Sequence, residues 1–322
     1  MATNTQSQFS PFRLELENDI TITGIHHFPS PSSTSPTYRP LIVLLHGGTC
    51  TAHNFDISPS LTASTAAESL SIPVISINRP GYLESTPLPI PSNSTFHKEL
   101  GRFLHSDLFP ALWQKYGIRN NCTALVPLAH SLGSPGIIVA AALHAQDQVP
   151  KYPLAGIIFS GWGIHQAPNS PAPPSGPSEK LAWKQLIMLG RPELHLGPSE
   201  AVEAIGPQDH DMDPAEPDEI YSGHWWRYWR SYSDEVIVPV MFGQPEHDLF
   251  WEGTLEHVRE VEGCFPKAAR FDGSLVMNAP HALEWSYCAA GWYSRCFGFA
   301  LEVTTAYALK GMPQPGKSRS QE

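Results

Sequence analysis

At 322 residues the chain is long enough for one α/β domain with an insertion or for two small domains. Apolar residues make up 41%, enough for a sizeable core, while charged residues reach only 16%, below the usual share of about a quarter. The net charge of −11 is spread without a basic patch, which argues against a nucleic-acid partner. Met1 to Ser10 carries no positive–apolar leader pattern, and no apolar run approaches about 18 residues, so the expectation is a soluble cytoplasmic protein with no membrane partner.

Residues 1–10 read as a frayed start. Phe12 to Ile25 places Leu14, Leu16, Ile20 and Ile22 in alternation, which predicts an antiparallel edge hairpin. A Ser/Pro-rich loop follows from Pro29 to Pro40. Pro40 to Leu45 is continuously apolar and reads as a fully buried strand running into His46-Gly47-Gly48-Thr49. Val74 to Ile77 is a second such strand, ending in Asn78-Arg79-Pro80-Gly81-Tyr82-Leu83-Glu84-Ser85. From Phe96 to Trp113 the apolar residues Leu100, Phe103, Leu104, Leu108 and Leu112 fall at helical spacing. The run Leu125 to Leu128 leads into Ala129-His130-Ser131-Leu132-Gly133, and a small-apolar helix pattern begins at once with Ile137, Ile138 and Val139. Leu154 to Ser160 reads as the next core strand.

About seventy residues then separate Ser160 from the apolar run Val236 to Phe242, far too many for a simple crossover. Gln166 to Ser178 reads as a hinge or loop, and helical pieces are expected near Glu179–Leu189 and Ser199–Ile205. Trp225, Tyr228, Trp229 and Tyr232 fall at i, i+3, i+4 and i+7 of one helix face. The expected organisation is a core over 11–162 and 235–310, a helical cap over 163–234, and a disordered tail over 311–322. In a cap beside a nucleophile, Trp225, Tyr228 and Trp229 are expected to line an apolar substrate pocket, the alternative being that they pack cap against core.

The chemistry starts at Ser131. A serine on a sharp turn between a buried strand and a helix is a nucleophile elbow, which holds the hydroxyl clear of its neighbours and sets a helix N-terminus behind it. The acid follows the Val236–Phe242 run in Gly243-Gln244-Pro245-Glu246-His247-Asp248. Asp248 and Glu246 both qualify, and Asp248 is preferred. Of fifteen histidines, position singles out His281, near the end of the folded chain. The order Ser131, Asp248, His281 is that of α/β-hydrolases.

Together these residues resemble the α/β-hydrolase superfamily over roughly residues 15–305. Asn78 to Ser85 is similar to that family's Asp-x-Pro-Gly-x-Gly-x-Ser turn, with Asn78 and Glu84 departing from it, and Ala129 stands where the usual elbow has glycine. The Arg-Pro-Gly-Tyr-Leu and Glu-His-Asp-Leu-Phe-Trp versions look like a fungal branch associated with natural-product pathways. The resemblance implies a mostly parallel sheet flanked by helices, and an oxyanion hole made by the backbone N–H groups of Gly48 and Leu132. A serine nucleophile implies acyl chemistry, whereas the family's dehalogenases and epoxide hydrolases use aspartate. The reading is a serine hydrolase acting on an ester, lactone or thioester of an apolar small molecule. An acyltransferase or cyclase with the same triad, and a binding protein without turnover, are the alternatives.

No zinc pattern, Walker loop or dinucleotide fingerprint occurs, so no cofactor is implied. Asp209, Asp211 and Asp213 begin like a calcium loop, but Pro214 replaces the needed glycine and Ile220 the needed glutamate, which leaves a solvated loop. The five cysteines lack metal spacing and read as free thiols, with Cys50 either bordering the pocket or filling space.

Overall fold

The structure is a computed structural model and describes residues 7–33, 35–172, 174 and 176–310. Most of the frayed start and all of the tail expected at 311–322 lie outside the described residues. The chain runs β1 (Ser10–Glu15), β2 (Thr21–His27), β3 (Pro40–Leu45), β4 (Asp56–Ser58), β5 (Leu61–Thr62), α1 (Ser64–Leu70), β6 (Val74–Ile77), α2 (Phe96–Phe103), α3 (Phe109–Leu112), β7 (Ala124–His130) and α4 (Ser134–Gln146). It continues with β8 (Ile157–Ser160), α5 (Pro177–Leu189), α6 (Ser199–Ala204), α7 (Ala215–Tyr221), α8 (Arg230–Ser233), β9 (Val240–His247), α9 (Leu255–Glu262), β10 (Phe271–Pro280) and α10 (Ala289–Lys310).

Eight of these strands form one sheet in the order β1-β2-β6-β3-β7-β8-β9-β10, and β4 pairs with β5 apart from it. The expected hairpin β1–β2 sits at the edge, antiparallel, and the six strands from β6 to β10 are parallel. Every residue of β3, β6, β7 and β8 is buried, which is why these strands read as nearly continuous apolar runs. Alternation then divides them between two layers. Leu41, Val43 and Leu45 face the side of α2 and α4 with Leu100, Leu104 and Ile137. Ile42 and Leu44 face the side of α1 and α10 with Ala67, Phe297 and Ala300. This is the α/β arrangement expected from the sequence, a mostly parallel sheet covered by helices on both faces.

Several elements differ from expectation: β8 starts at Ile157 rather than Leu154. β9 starts at Val240 rather than Val236, because its register is set by pairing Ile157 with Val240 and Ser160 with Gly243. It then runs through Gln244, Pro245, Glu246 and His247 against β10. The helical stretch at 96–117 is not one regular helix: wider π-type turns at Leu104–Leu108 and Trp113–Gly117 flank α3. Between β8 and β9 the described chain forms α5 to α8 and adds no strand to the sheet. No helix among the described residues is long and apolar enough to cross a membrane.

Candidate active site

β7 ends at His130 and α4 begins at Ser134, leaving one tight turn between them. At its head Ser131 adopts a φ of 51°, a left-handed conformation that a residue with a Cβ rarely enters. Such strain persists only where the surroundings impose it. Here the constraint is close packing of α4 against β3. A Cβ on Gly133 would lie 2.9 Å from the carbonyl oxygens of both Leu45 and His46.

Ser131 Oγ lies 3.0 Å from His281 Nε2, and His281 Nδ1 lies 2.9 Å from Asp248 Oδ2. Ser131 follows β7, Asp248 follows β9 and His281 follows β10, so all three stand at the carboxyl ends of parallel strands. Both the His281 and Asp248 side chains are buried. The N–H groups of Phe250 and Trp251 donate to the other Asp248 oxygen at 2.8 and 3.2 Å, which fixes the carboxylate. The other candidate acid is engaged elsewhere. Glu246 accepts the Asn278 N–H at 2.7 Å, where β10 breaks register and Asn278 takes a φ of 54°.

β3 delivers the second part of the site. Gly48 and Leu132 border the same cleft as Ser131. His46 Nε2 accepts the Arg79 N–H at 3.1 Å, so the ring proton is on Nδ1, which donates to the Gly47 carbonyl at 2.8 Å. Burial, and next the Arg79 charge, hold this imidazole well below its ordinary pKa and therefore neutral.

A family model described as the alpha/beta hydrolase family matches residues 42–293. The chain belongs to the α/β-hydrolase family. No curated protein matches its sequence. Among solved structures it is similar to naproxen esterase from Bacillus subtilis, at 13% identity and a TM-score of 0.57, over 90% of this chain and 91% of that one. Similarity also extends to a monoacylglycerol lipase from Paleococcus ferrophilus, at 12% identity and a TM-score of 0.52, over 92% and 100% of the two chains. An N-acyl homoserine lactonase variant aligns at 14% identity and a TM-score of 0.58, over 92% and 98%. At such identities the likeness is one of fold.

The cleft of this α/β-hydrolase holds about 820 Å³ of open space, its mouth included. Its walls differ from the sequence expectation. Trp162, Trp183, Phe250, Trp251 and Ile187 line it, together with Ile220 and Tyr221 from α7. Trp225, Tyr228 and Trp229 do not. They were expected on one helix face, but the chain breaks there into a short 3₁₀ turn at Trp225–Arg227 and the separate α8. Trp225 is fully buried one ring behind the wall, 6.1 Å from Trp162 and 5.6 Å from His97. Trp229 is buried against Trp225, and the Tyr228 hydroxyl bonds to Glu219 and Thr95. These aromatics pack the helical excursion onto the core. A sequence signal for the true walls did exist: Trp162, Phe250 and Trp251 all follow the carboxyl ends of parallel strands. Cys50 also borders the cleft, and burial raises its thiol pKa.

Two buried polar groups in this hydrolase were not foreseen as partners. Lys184 of α5 donates to the carbonyls of Thr49 and Gln208, both at 2.9 Å, and pairs with Asp209 at 3.1 Å. The acidic loop thus clasps the turn after β3 rather than lying wholly in solvent. Behind His281, the fully buried Glu284 accepts from Trp292 Nε1 at 3.0 Å and from Ser160 at 3.3 Å. Ser160 in turn meets His130, whose ring lies 4.8 Å from that of His281. Burial pushes the Glu284 carboxyl up to about 7, and burial followed by the His281 charge keeps His130 well below its ordinary range.

Proposed function

We propose that this protein is a serine hydrolase that cleaves an ester, lactone or thioester of an apolar small molecule through an acyl-enzyme. The observation that carries the reading is the hydrogen-bond chain Ser131–His281–Asp248 opening on an apolar, aromatic-walled cleft. In this reading His281 Nε2 takes the Ser131 proton as Oγ attacks the carbonyl carbon. The carbonyl oxygen becomes an oxyanion that accepts from the Gly48 and Leu132 N–H groups. His281 then returns the proton to the leaving alcohol or thiol, and water repeats the sequence to free the acid. Asp248 holds the Nδ1–H tautomer and stabilises the imidazolium that forms.

The wall of Trp162, Trp183, Ile187, Phe250 and Trp251 supports an apolar substrate, since a polar one would lose hydration there without repayment. The esterase, lipase and lactonase named above, which share this fold, lend support to the bond type. The test is labelling with a fluorophosphonate probe, followed by a panel of aryl and alkyl esters. Labelling at Ser131 and ester turnover, both abolished in Ser131→Ala, are expected. A folded wild-type protein that takes no label and turns over no ester would overturn the reading. Product analysis with an added alcohol separates hydrolysis from acyl transfer, and a dominant transfer product would favour the acyltransferase alternative.

A further inference from the structure

The turn that carries Gly48 is held from behind by a buried ion pair reaching from the helical excursion. Arg79, just past β6, is fully buried. Its Nη2 donates to the Gly47 carbonyl oxygen at 3.1 Å and to the Tyr82 hydroxyl at 3.2 Å, and its Nη1 donates to Glu216 on α7. Tyr82 closes the ring by donating to the other Glu216 oxygen at 3.0 Å. Both charged side chains have no exposure at all. An arginine keeps its charge when buried, so Glu216 stands opposite it as the carboxylate that makes this burial tolerable.

The consequence lies in the geometry of one peptide unit. The carbonyl of Gly47 and the N–H of Gly48 belong to the same planar trans peptide, and so they point in opposite directions. Two donors fix the carbonyl end: Arg79 Nη2, and His46 Nδ1 at 2.8 Å. Fixing the oxygen fixes the opposed Gly48 N–H as well, which points away from Arg79 on a residue that borders the same cleft as Ser131. Donation to the carbonyl also polarises the whole peptide, which makes its N–H a stronger donor. Without these donors a Gly47-Gly48 peptide would rotate readily, because neither residue restricts its dihedrals.

We propose that Arg79 is the positioning residue of the oxyanion hole, setting the Gly48 N–H through the Gly47 carbonyl, with Glu216 as the latch that holds Arg79 in place. The proposal rests on the serine-hydrolase reading above. It also couples two parts of the molecule. The α7 helix that carries Glu216 lends Ile220 and Tyr221 to the cleft wall, so the wall and the oxyanion donor share one support.

The test uses the full chain and two variants. Arg79→Met/Glu216→Met removes both buried charges together, so neither is left unpaired, and Arg79→Lys keeps the charge but loses the fork. An aryl trifluoromethyl ketone serves as the probe. Ser131 Oγ adds to its carbonyl carbon, the π pair moves to oxygen, and the serine proton passes to His281, so the adduct places an oxyanion in the hole. In the folded double variant kcat falls by about 10- to 100-fold, less than the loss of a whole donor, while KM stays within about threefold. Affinity for the ketone falls by the same factor as kcat/KM, and Arg79→Lys recovers part of both. A double variant with kcat and ketone affinity within about twofold of wild type would overturn the proposal. If the double variant does not fold, Arg79→Lys decides: unchanged kcat and ketone affinity overturn it, and a parallel drop supports it. Failure of the wild-type protein itself to bind the ketone would instead strike the serine-hydrolase reading.

Discussion

Asp248 and Glu246 stand two residues apart at the end of β9, and only Asp248 reaches His281. Asp248 Oδ2 meets His281 Nδ1 at 2.9 Å, whereas Glu246 is spent on the Asn278 N–H at 2.7 Å. The division has a mechanistic consequence. Asp248→Asn leaves His281 able to adopt the wrong tautomer, and kcat is expected to fall by roughly 10³- to 10⁴-fold. Glu246→Gln loosens the β10 irregularity and is expected to change kcat by less than about tenfold. Steady-state kinetics of both variants on one ester checks this, and the reverse ranking would mean that Glu246 is the acid.

Ser131→Ala removes the proposed nucleophile while leaving a residue of similar size on the strained turn. Turnover is expected to fall by about 10⁴-fold or more. The φ of 51° costs alanine no more than serine, so the melting temperature should stay close to wild type. Activity within about tenfold of wild type would exclude Ser131 as the nucleophile.

The aromatic residues divide into wall and support, and variants should separate the two. Trp229→Ala opens a hole in a buried cluster and is expected to cost about 3 to 5 kcal/mol of stability. Its effect on kcat/KM should be equal for acetate and bulky aryl esters. Trp183 lines the cleft and is partly exposed. Trp183→Ala should therefore lower kcat/KM for bulky aryl esters by roughly tenfold and leave acetates nearly unchanged, with a smaller shift in melting temperature. A selectivity change in Trp229→Ala and none in Trp183→Ala would reverse the assignment.

Glu284 gives a stability signature in pH. Its carboxyl titrates near 7 in the folded protein, against an ordinary 4.5, because it is fully buried. Between those values the folded protein keeps a proton that the unfolded chain has released. The unfolded state therefore binds fewer protons, and stability falls as pH rises through this window, by a few kcal/mol at most. Glu284→Gln keeps acceptor and donor capacity without the charge. Its melting temperature should gain on wild type from pH 5 to pH 8, and parallel melting curves across that range would refute the burial argument.

The sequence by itself determined the central strands and the elbow. β3, β6 and β7 are legible because a strand covered on both faces is apolar almost throughout, with Ser76 and His130 as the polar exceptions. The elbow is legible because Ser131 and Gly133 must satisfy a local turn, and local geometry is written in adjacent residues. Ser131, Asp248 and His281 could be nominated from their positions after such strands and their order in the chain. Their meeting at 3.0 and 2.9 Å is a product of the parallel sheet, which brings three strand ends together across 150 residues of sequence. β10 is not legible as a strand, since Asp272, Gly273, Ser274 and Asn278 interrupt any apolar pattern and its pairing with β9 supplies the order instead. The Trp225–Tyr232 stripe misled because period alone assumes an unbroken helix, and the chain broke it to seat Trp225 behind Trp162. Tertiary structure alone decided the cleft wall and the Arg79–Glu216 pair, whose members lie 137 residues apart. A buried charge is stable only opposite its partner, and which partner reaches it is settled by how the chain closes on itself.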